Sequence, residues 1–205
     1  MVKRTKEEAE HTRNLLLDGA RRVFLRKGVS RTTLADIATE VGVTRGAVYH
    51  HFVDKAALFQ AMMDRAHLPF DAITRPNPRL QAEDPLDLMF ECLMQGADCI
   101  LSNVEIQETF EIMMTKCEWT EDMAALKARD NQCRDEHRDE WARAFEVALE
   151  RGLLRPGIVA DQAARALIAL IEGLLFNYLD QGLNADFKHD IRFAVSTYLQ
   201  GLRKP

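Results

Sequence analysis

The sequence predicts an all-α protein of about nine helices: an amino-terminal three-helix head containing a helix-turn-helix, followed by a larger carboxy-terminal helical domain. Three observations carry this. Ala, Leu, Glu and Arg are abundant while Val-Ile-Thr alternation of the strand type is nearly absent. Apolar residues recur at helical spacing in successive stretches, each bounded by capping residues, glycine or proline. Charge is divided along the chain: residues 1–67 carry 12 Lys and Arg against 8 Asp and Glu, a net +4, whereas the whole chain is at −5, leaving −9 for the other 138 residues. The first third is therefore the candidate phosphate-facing surface, and the rest is not. A chain of 205 residues is long enough to bury a core as one large domain or as a small and a medium one.

The elements follow in order. Thr5 and Glu8 form a capping box, and Leu16, Ala20, Val23 and Phe24 share a face, so a first helix runs to about Lys27 with Gly28 past its end. Ahead of it, Lys3, Arg4 and Lys6 read either as an arm along a DNA backbone or as a solvated tail. Thr33 with Asp36 caps a second helix whose Leu34, Ile37, Ala38 and Val41 lie on one side, and Gly42 ends it. Gly42-Val43-Thr44 is the length of turn that joins two helices steeply. Thr44 then caps a third helix, about Arg45 to Phe52, which buries Val48 and Phe52 and turns Arg45, Ala47, Tyr49, His50 and His51 outward.

Asp54 caps a fourth helix from Lys55, with Leu58, Phe59, Met62 and Ala66 buried; Pro69 predicts a kink or an early stop near Leu68. Residues 74–83, with two prolines and no periodicity, read as a domain boundary. Asp84-Pro85 starts a fifth helix to about Asn103, a shorter sixth spans about Glu105 to Cys117, and a long seventh runs from Thr120 to about Arg151. Pro156-Gly157 breaks the chain, Asp161 begins the eighth helix, and the ninth spans about Asp186 to Leu202. Ala164, Leu167, Ile168, Ile171, Leu174, Leu175 and Tyr178 form an eighth-helix face too broad for one neighbour. It suits a second copy or a buried central helix in a monomer.

The outward face of the third helix fits a major groove. Arginine donates two hydrogen bonds to a guanine edge, a small apolar side chain meets a thymine methyl, and Tyr, His and Lys bond phosphate oxygens. The same spacing also suits an ordinary helical hairpin with a solvated face. Beyond the spacing, TTLADIATEVGVTRGAVYHHFVDKAALF resembles the TetR family of one-component transcriptional regulators, in which Thr-x-x-x-Ile-Ala, Gly-Val, Tyr-x-His-Phe and a following Lys recur in this order. The likeness covers residues 5 to about 67. It implies a DNA-binding domain at 1–54 and a ligand-binding and dimerisation domain at 55–205, with a homodimer formed through the last two helices. Thr33, Tyr49, His51 and Lys55 would hold phosphates of a double-stranded operator, Thr44 would cap the reading helix, Gly46 would allow close approach, and Arg45, Ala47, Val48 and His50 would read the sequence.

The carboxy-terminal half is similar to the AcrR/TtgR-like subgroup that represses multidrug efflux pumps, through MMTKCEWTEDM at 113–123, Asp84-Pro85-Leu86 and the Gly-Leu of IEGLLFNYL at 171–179. That resemblance implies a small lipophilic effector that lowers DNA affinity, with His67, Phe90, Phe110, Met114, Glu172 and Phe176 at its cavity. Glu172 lies between Ile171 and Gly173 on an otherwise apolar face and needs a partner, because an isolated buried charge costs several kcal/mol. The partner is either an arginine such as Arg129 or Arg165, or the effector itself, which would then favour cationic compounds. A regulator that senses an endogenous metabolite, as repressor or activator, is the alternative reading.

Other chemistries find little footing. No nucleophile–base pair, phosphate-binding glycine loop or paired catalytic carboxylates can be assembled, so no catalytic residue and no cofactor are assigned and a helical enzyme is the remote alternative. His50 and His51 point about a hundred degrees apart on a helix, and His137 with Glu136 and Glu140 forms no H-E-x-x-H, so no metal ligands are assigned. Cys92, Cys99, Cys117 and Cys133 form no C-x-x-C and read as reduced core thiols, Cys117 being either an oxidation sensor or a structural thiol. No run is apolar enough for a membrane span and the amino terminus lacks an apolar leader core, so a cytoplasmic protein without membrane contact is expected.

Overall fold

The computed structural model describes residues 6–74 and 84–205. Its helices are α1 (Lys6–Lys27), α2 (Leu34–Glu40), α3 (Arg45–His51), α4 (Lys55–Thr74), α5 (Pro85–Ser102), α6 (Val104–Glu111), α7 (Ala124–Glu150), α8 (Ala160–Gln181) and α9 (Asp186–Leu202). The Thr5–Glu8 box, Lys3, Arg4 and boundary residues 75–83 lie outside the described residues.

Three boundaries differ from expectation. α4 does not stop near Leu68 but continues through Pro69 to Thr74, since a proline removes one backbone bond and the bonds on either side can carry the helix across. The sixth helix ends in a π-helical turn, Ile112–Lys116, where the Thr115 hydroxyl donates to the Glu111 carbonyl at 2.8 Å. The seventh begins with a 3-10 turn, Glu121–Met123, before α7.

The packing divides into two units: Met1–His67 with Glu108–Lys127, and Leu68–Gln107 with Ala128–Pro205. In the first, Leu16, Val23 and Phe24 of α1 meet Ile37 of α2, Val48 of α3 and Phe59 and Met62 of α4 in one core. Ile112, Met123 and Leu126 join that core from far along the chain. Phe59 bridges the two contributions, its ring edge-on to Phe24 at 5.7 Å and to Trp119 at 6.4 Å. α1 and α2 approach so closely that a Cβ on Gly19 would stand 2.2 Å from Cγ1 of Val41. Lys27–Asp36 at 2.7 Å, with Arg22–Glu40 and Arg26–Glu40 at 2.9 Å, tie both ends of α2 to α1.

In the second unit α9 packs on α5 and α8. Phe187, Ile191, Val195 and Leu199 recur at helical spacing and are its buried residues. Arg203 clamps the start of α5, reaching Asp84 at 3.0 Å and Asp87 at 2.7 Å, while Asp84 also caps that helix by accepting from the Leu86 amide at 2.8 Å. The thiols do not all lie in the core: Cys92 is buried and Cys133 is exposed on α7. Its position falls in the strongly charged, outward part of that helix, where periodicity gives no buried side.

Candidate nucleic-acid interface and effector residues

The helix-turn-helix is set by short-range chemistry. Thr33 accepts from the Asp36 amide at 3.2 Å and its own amide donates to Asp36 at 2.9 Å, closing the capping box that starts α2. The Lys27 hydrogen bond, followed by those from the Thr33 amide and hydroxyl, holds the Asp36 carboxyl well below the usual carboxylate range. Gly42 sits at φ +70°, a conformation a side chain would strain, and lets the Val43 amide reach the Ala38 carbonyl at 3.0 Å. The Thr44 hydroxyl then accepts from the Ala47 amide at 3.2 Å and starts α3.

Burial divides the seven residues of α3 into two faces. Val48 is 0 % exposed in the core, which removes it from the residues that read bases: a side chain with no accessible surface touches no groove. Arg45, Gly46, Tyr49 and His50 are exposed, and Ala47 and His51 are half-buried. Arg45 donates through Nη2 to the Tyr49 hydroxyl at 3.3 Å, and its guanidinium carbon lies 5.5 Å from the Tyr49 ring centroid. The hydrogen bond to Tyr49 raises the already high pKa of Arg45, so this corner of α3 is a fixed positive charge. A Cβ on Gly46 would meet no atom closer than Thr44 Oγ1 at 3.9 Å, so nothing inside the fold demands glycine there. The His50 and His51 rings stand 5.3 Å apart at 80°. Among the described residues, no group of three or more His, Cys, Asp or Glu is placed to hold a metal ion.

Lys55 has a use that its spacing does not reveal. Its ammonium donates to the carbonyls of Val29 at 2.9 Å and Ser30 at 3.1 Å. It is therefore not the unengaged phosphate cation expected from sequence: two of its three donors hold the turn between α1 and α2. The Val29 amide donates onward to the Lys116 carbonyl at 3.0 Å, and the buried Thr32 hydroxyl closes the turn on the Gly28 carbonyl at 2.7 Å. Asp54 caps α4 as expected, accepting from the Ala57 amide at 2.7 Å.

The residues expected at an effector cavity fall in different surroundings. Phe110 is buried and Met114 half-buried in the first unit; Phe90 and Glu172 are half-buried in the second. The His67 side chain lies outside the described residues. Phe176 is 44 % exposed on α8 and so stands on an outward face. Glu172 pairs with neither Arg129 nor Arg165 but with Arg134, at 2.6 Å, both side chains being nearly half exposed (42 % and 47 %). Of the two partners that the sequence allows, an arginine or a cationic effector, the structure supplies an arginine, though a different one from those named. Arg134 precedes Arg138 by one helical turn of α7, but which turn faces Glu172 depends on packing between distant segments. Phe90 carries Arg192 over its ring at 5.5 Å. A further polar group goes unnoticed in the sequence: Thr109 is fully buried and its hydroxyl has no hydrogen-bond partner among the described residues. An open pocket of about 190 Å³ lies along Val159, Gln162, Ala163, Tyr198 and Leu202, and none of the expected effector residues lines it. No described helix is long and apolar enough to cross a membrane.

Residues 16–62 match the family described as bacterial regulatory proteins, tetR family, and residues 84–204 match the MAATS-type transcriptional repressor, C-terminal region. The HTH-type transcriptional regulator TtgR of Pseudomonas putida is 38 % identical over 204 residues, which span 99 % of this chain and 97 % of that protein. The crystal structure of NalD, the secondary repressor of the MexAB-OprM multidrug efflux pump in Pseudomonas aeruginosa, superposes with a TM-score of 0.87 at 34 % identity, covering 97 % of this chain and 99 % of that one. A complex of SmeT with triclosan superposes with a TM-score of 0.81 at 30 % identity, covering 95 % and 92 % of the two chains.

Proposed function

The chain belongs to the TetR family of transcriptional regulators, which are DNA-binding proteins and not enzymes, and we propose that it represses a multidrug efflux pump and is released from its operator by a lipophilic compound. The observation that carries the reading is the outward face of α3. Arg45, Gly46, Tyr49 and His50 stand exposed on a doubly capped helix-turn-helix, and that helix otherwise buries only Val48.

Arg45, with Ala47 and His50, reads base edges; Thr33, His51 and the remaining donor of Lys55 hold phosphates; and Gly46 allows the helix backbone close to the groove. Residues 1–54 form the DNA-binding part and 55–205 the effector and dimer part. A second copy is supported by the exposed apolar residues of the last two helices, Phe176 at 44 % and Phe193 at 69 %. Gly173 on α8 adds to this, since a Cβ there would meet nothing within 4 Å. Two α3 helices in one dimer address successive major-groove segments of a near-palindrome.

The effector is taken as lipophilic, as is the triclosan in the SmeT complex, and the Glu172–Arg134 pair leaves no net charge that would favour a cation. A ligand that shifts α4 and with it the spacing of the heads needs a coupling of only about 1–3 kcal/mol to change DNA affinity by about 5- to 150-fold.

The test is an anisotropy titration of the full chain on its own upstream promoter DNA, repeated with a panel of phenolic biocides, flavonoids, lipophilic cations and antibiotics. Tight binding released by one lipophilic class is the expected result. Tight binding released only by a polar metabolite would replace the efflux reading by metabolite sensing, and an affinity no greater than for scrambled DNA would contradict the repressor.

A further inference from the structure

We propose that Tyr49 is the positioning residue for Arg45: it holds the guanidinium in the pose that reads a base edge. The proposal rests on the reading of the head as DNA-binding and deepens it by dividing the roles within α3.

The two residues are four apart on a seven-residue helix, so their side chains lie over the same strip of surface. The contact is made twice, by the Nη2-to-hydroxyl hydrogen bond of 3.3 Å and by the guanidinium 5.5 Å from the ring centroid. Neither contact is needed to hold the fold. Tyr49 is 47 % exposed and absent from the head's core, and an exposed pair of this kind adds little to stability. Its physical effect falls on the arginine. Among the described residues no carboxylate lies within ion-pair distance of Arg45, so without Tyr49 its long side chain would sample many rotamers and would have to be ordered on binding. Two-point recognition of guanine needs the planar fork held at one tilt. The hydroxyl takes one of five N–H groups as an acceptor and leaves four, enough for a two-point contact with O6 and N7 of guanine. Pre-ordering the fork improves affinity only where that guanine is present, which makes Tyr49 a determinant of specificity.

A double-mutant cycle separates this role from direct contact. Wild type, Arg45→Ala, Tyr49→Phe and the double variant, all full length, are titrated on an operator duplex selected from random sequence and on a scrambled duplex. Tyr49→Phe keeps the ring and removes the hydroxyl. Losing the hydrogen bond is expected to lower operator affinity by about two- to tenfold, to leave scrambled-DNA affinity unchanged, and to have no further effect once Arg45 is alanine. The same loss in the Arg45→Ala background, an equal loss on scrambled DNA, or no loss at all would overturn it. Side-chain Nε–Hε relaxation of Arg45 in the DNA-free protein gives a second readout: ordered in wild type and mobile in Tyr49→Phe if the proposal holds, equally mobile in both if it does not. Wild type that prefers no duplex would remove the DNA-binding reading of the head, a failure seen before any variant is compared.

Discussion

Gly19 and Gly46 sit in helices of the same unit yet face opposite constraints, and this contrast separates residues kept for folding from residues kept for contact. At Gly19 a methyl group would overlap the stiff, branched side chain of Val41. Gly19→Ala is expected to lower the thermal stability of the head, because overpacking costs about 1–3 kcal/mol and exceeds the gain of about 1 kcal/mol in helix propensity. At Gly46 the space is open on the protein side. Gly46→Ala is expected to raise stability by up to about 1 kcal/mol while weakening operator binding; a stabilised variant with unchanged affinity would show that α3 does not approach DNA at this point. Asp36 gives the head a pH dependence. Its folded pKa is depressed, so its contribution is complete above the ordinary carboxylate range, near pH 4, and is lost as pH falls further towards the folded value. Asp36→Asn should flatten the acid limb of a melting-temperature profile.

At the scale of elements, legibility follows the range of the forces involved. The Thr33–Asp36 box, the Thr44 and Asp54 caps and the Gly42 turn act within three or four residues, and each was readable from spacing. The π-helical turn at 112–116, its carbonyl on Val29, and the grip of Lys55 on Val29 and Ser30 join segments up to 87 residues apart, and no local pattern encodes them. Glu172 shows the same limit: the need for a cationic partner was legible, but Arg134 rather than Arg129 or Arg165 supplies it, because partner choice depends on how α7 and α8 meet. Lys55→Met should therefore do two things. It should destabilise the head by about 1–2 kcal/mol by leaving two carbonyls without their donor, and reduce the salt slope of DNA binding by about one through its remaining donor. Weaker DNA binding with unchanged stability would mean that the carbonyl contacts do not hold the turn.

At the scale of the molecule, composition foretold the division of charge, a net +4 in residues 1–67 against −9 in the rest. It did not foretell that residues 108–127 pack with the head, since membership of a core is a property of the folded chain. Outward Phe176 and Phe193 are expected to be covered by a second copy. Phe193→Lys should convert a dimer to a folded monomer in sedimentation and abolish tight operator binding, because a single head makes only half the contacts; a variant that stays dimeric would place the interface elsewhere. In the proposed dimer, two copies of the α3 face read DNA together. Selection of the full-length protein against a library of random duplexes tests it most directly. The expected outcome is an enriched near-palindrome whose half-sites lie on one side of the duplex, separated by about 10 base pairs or a multiple. A single unpaired half-site, or no enrichment over random sequence, would contradict it.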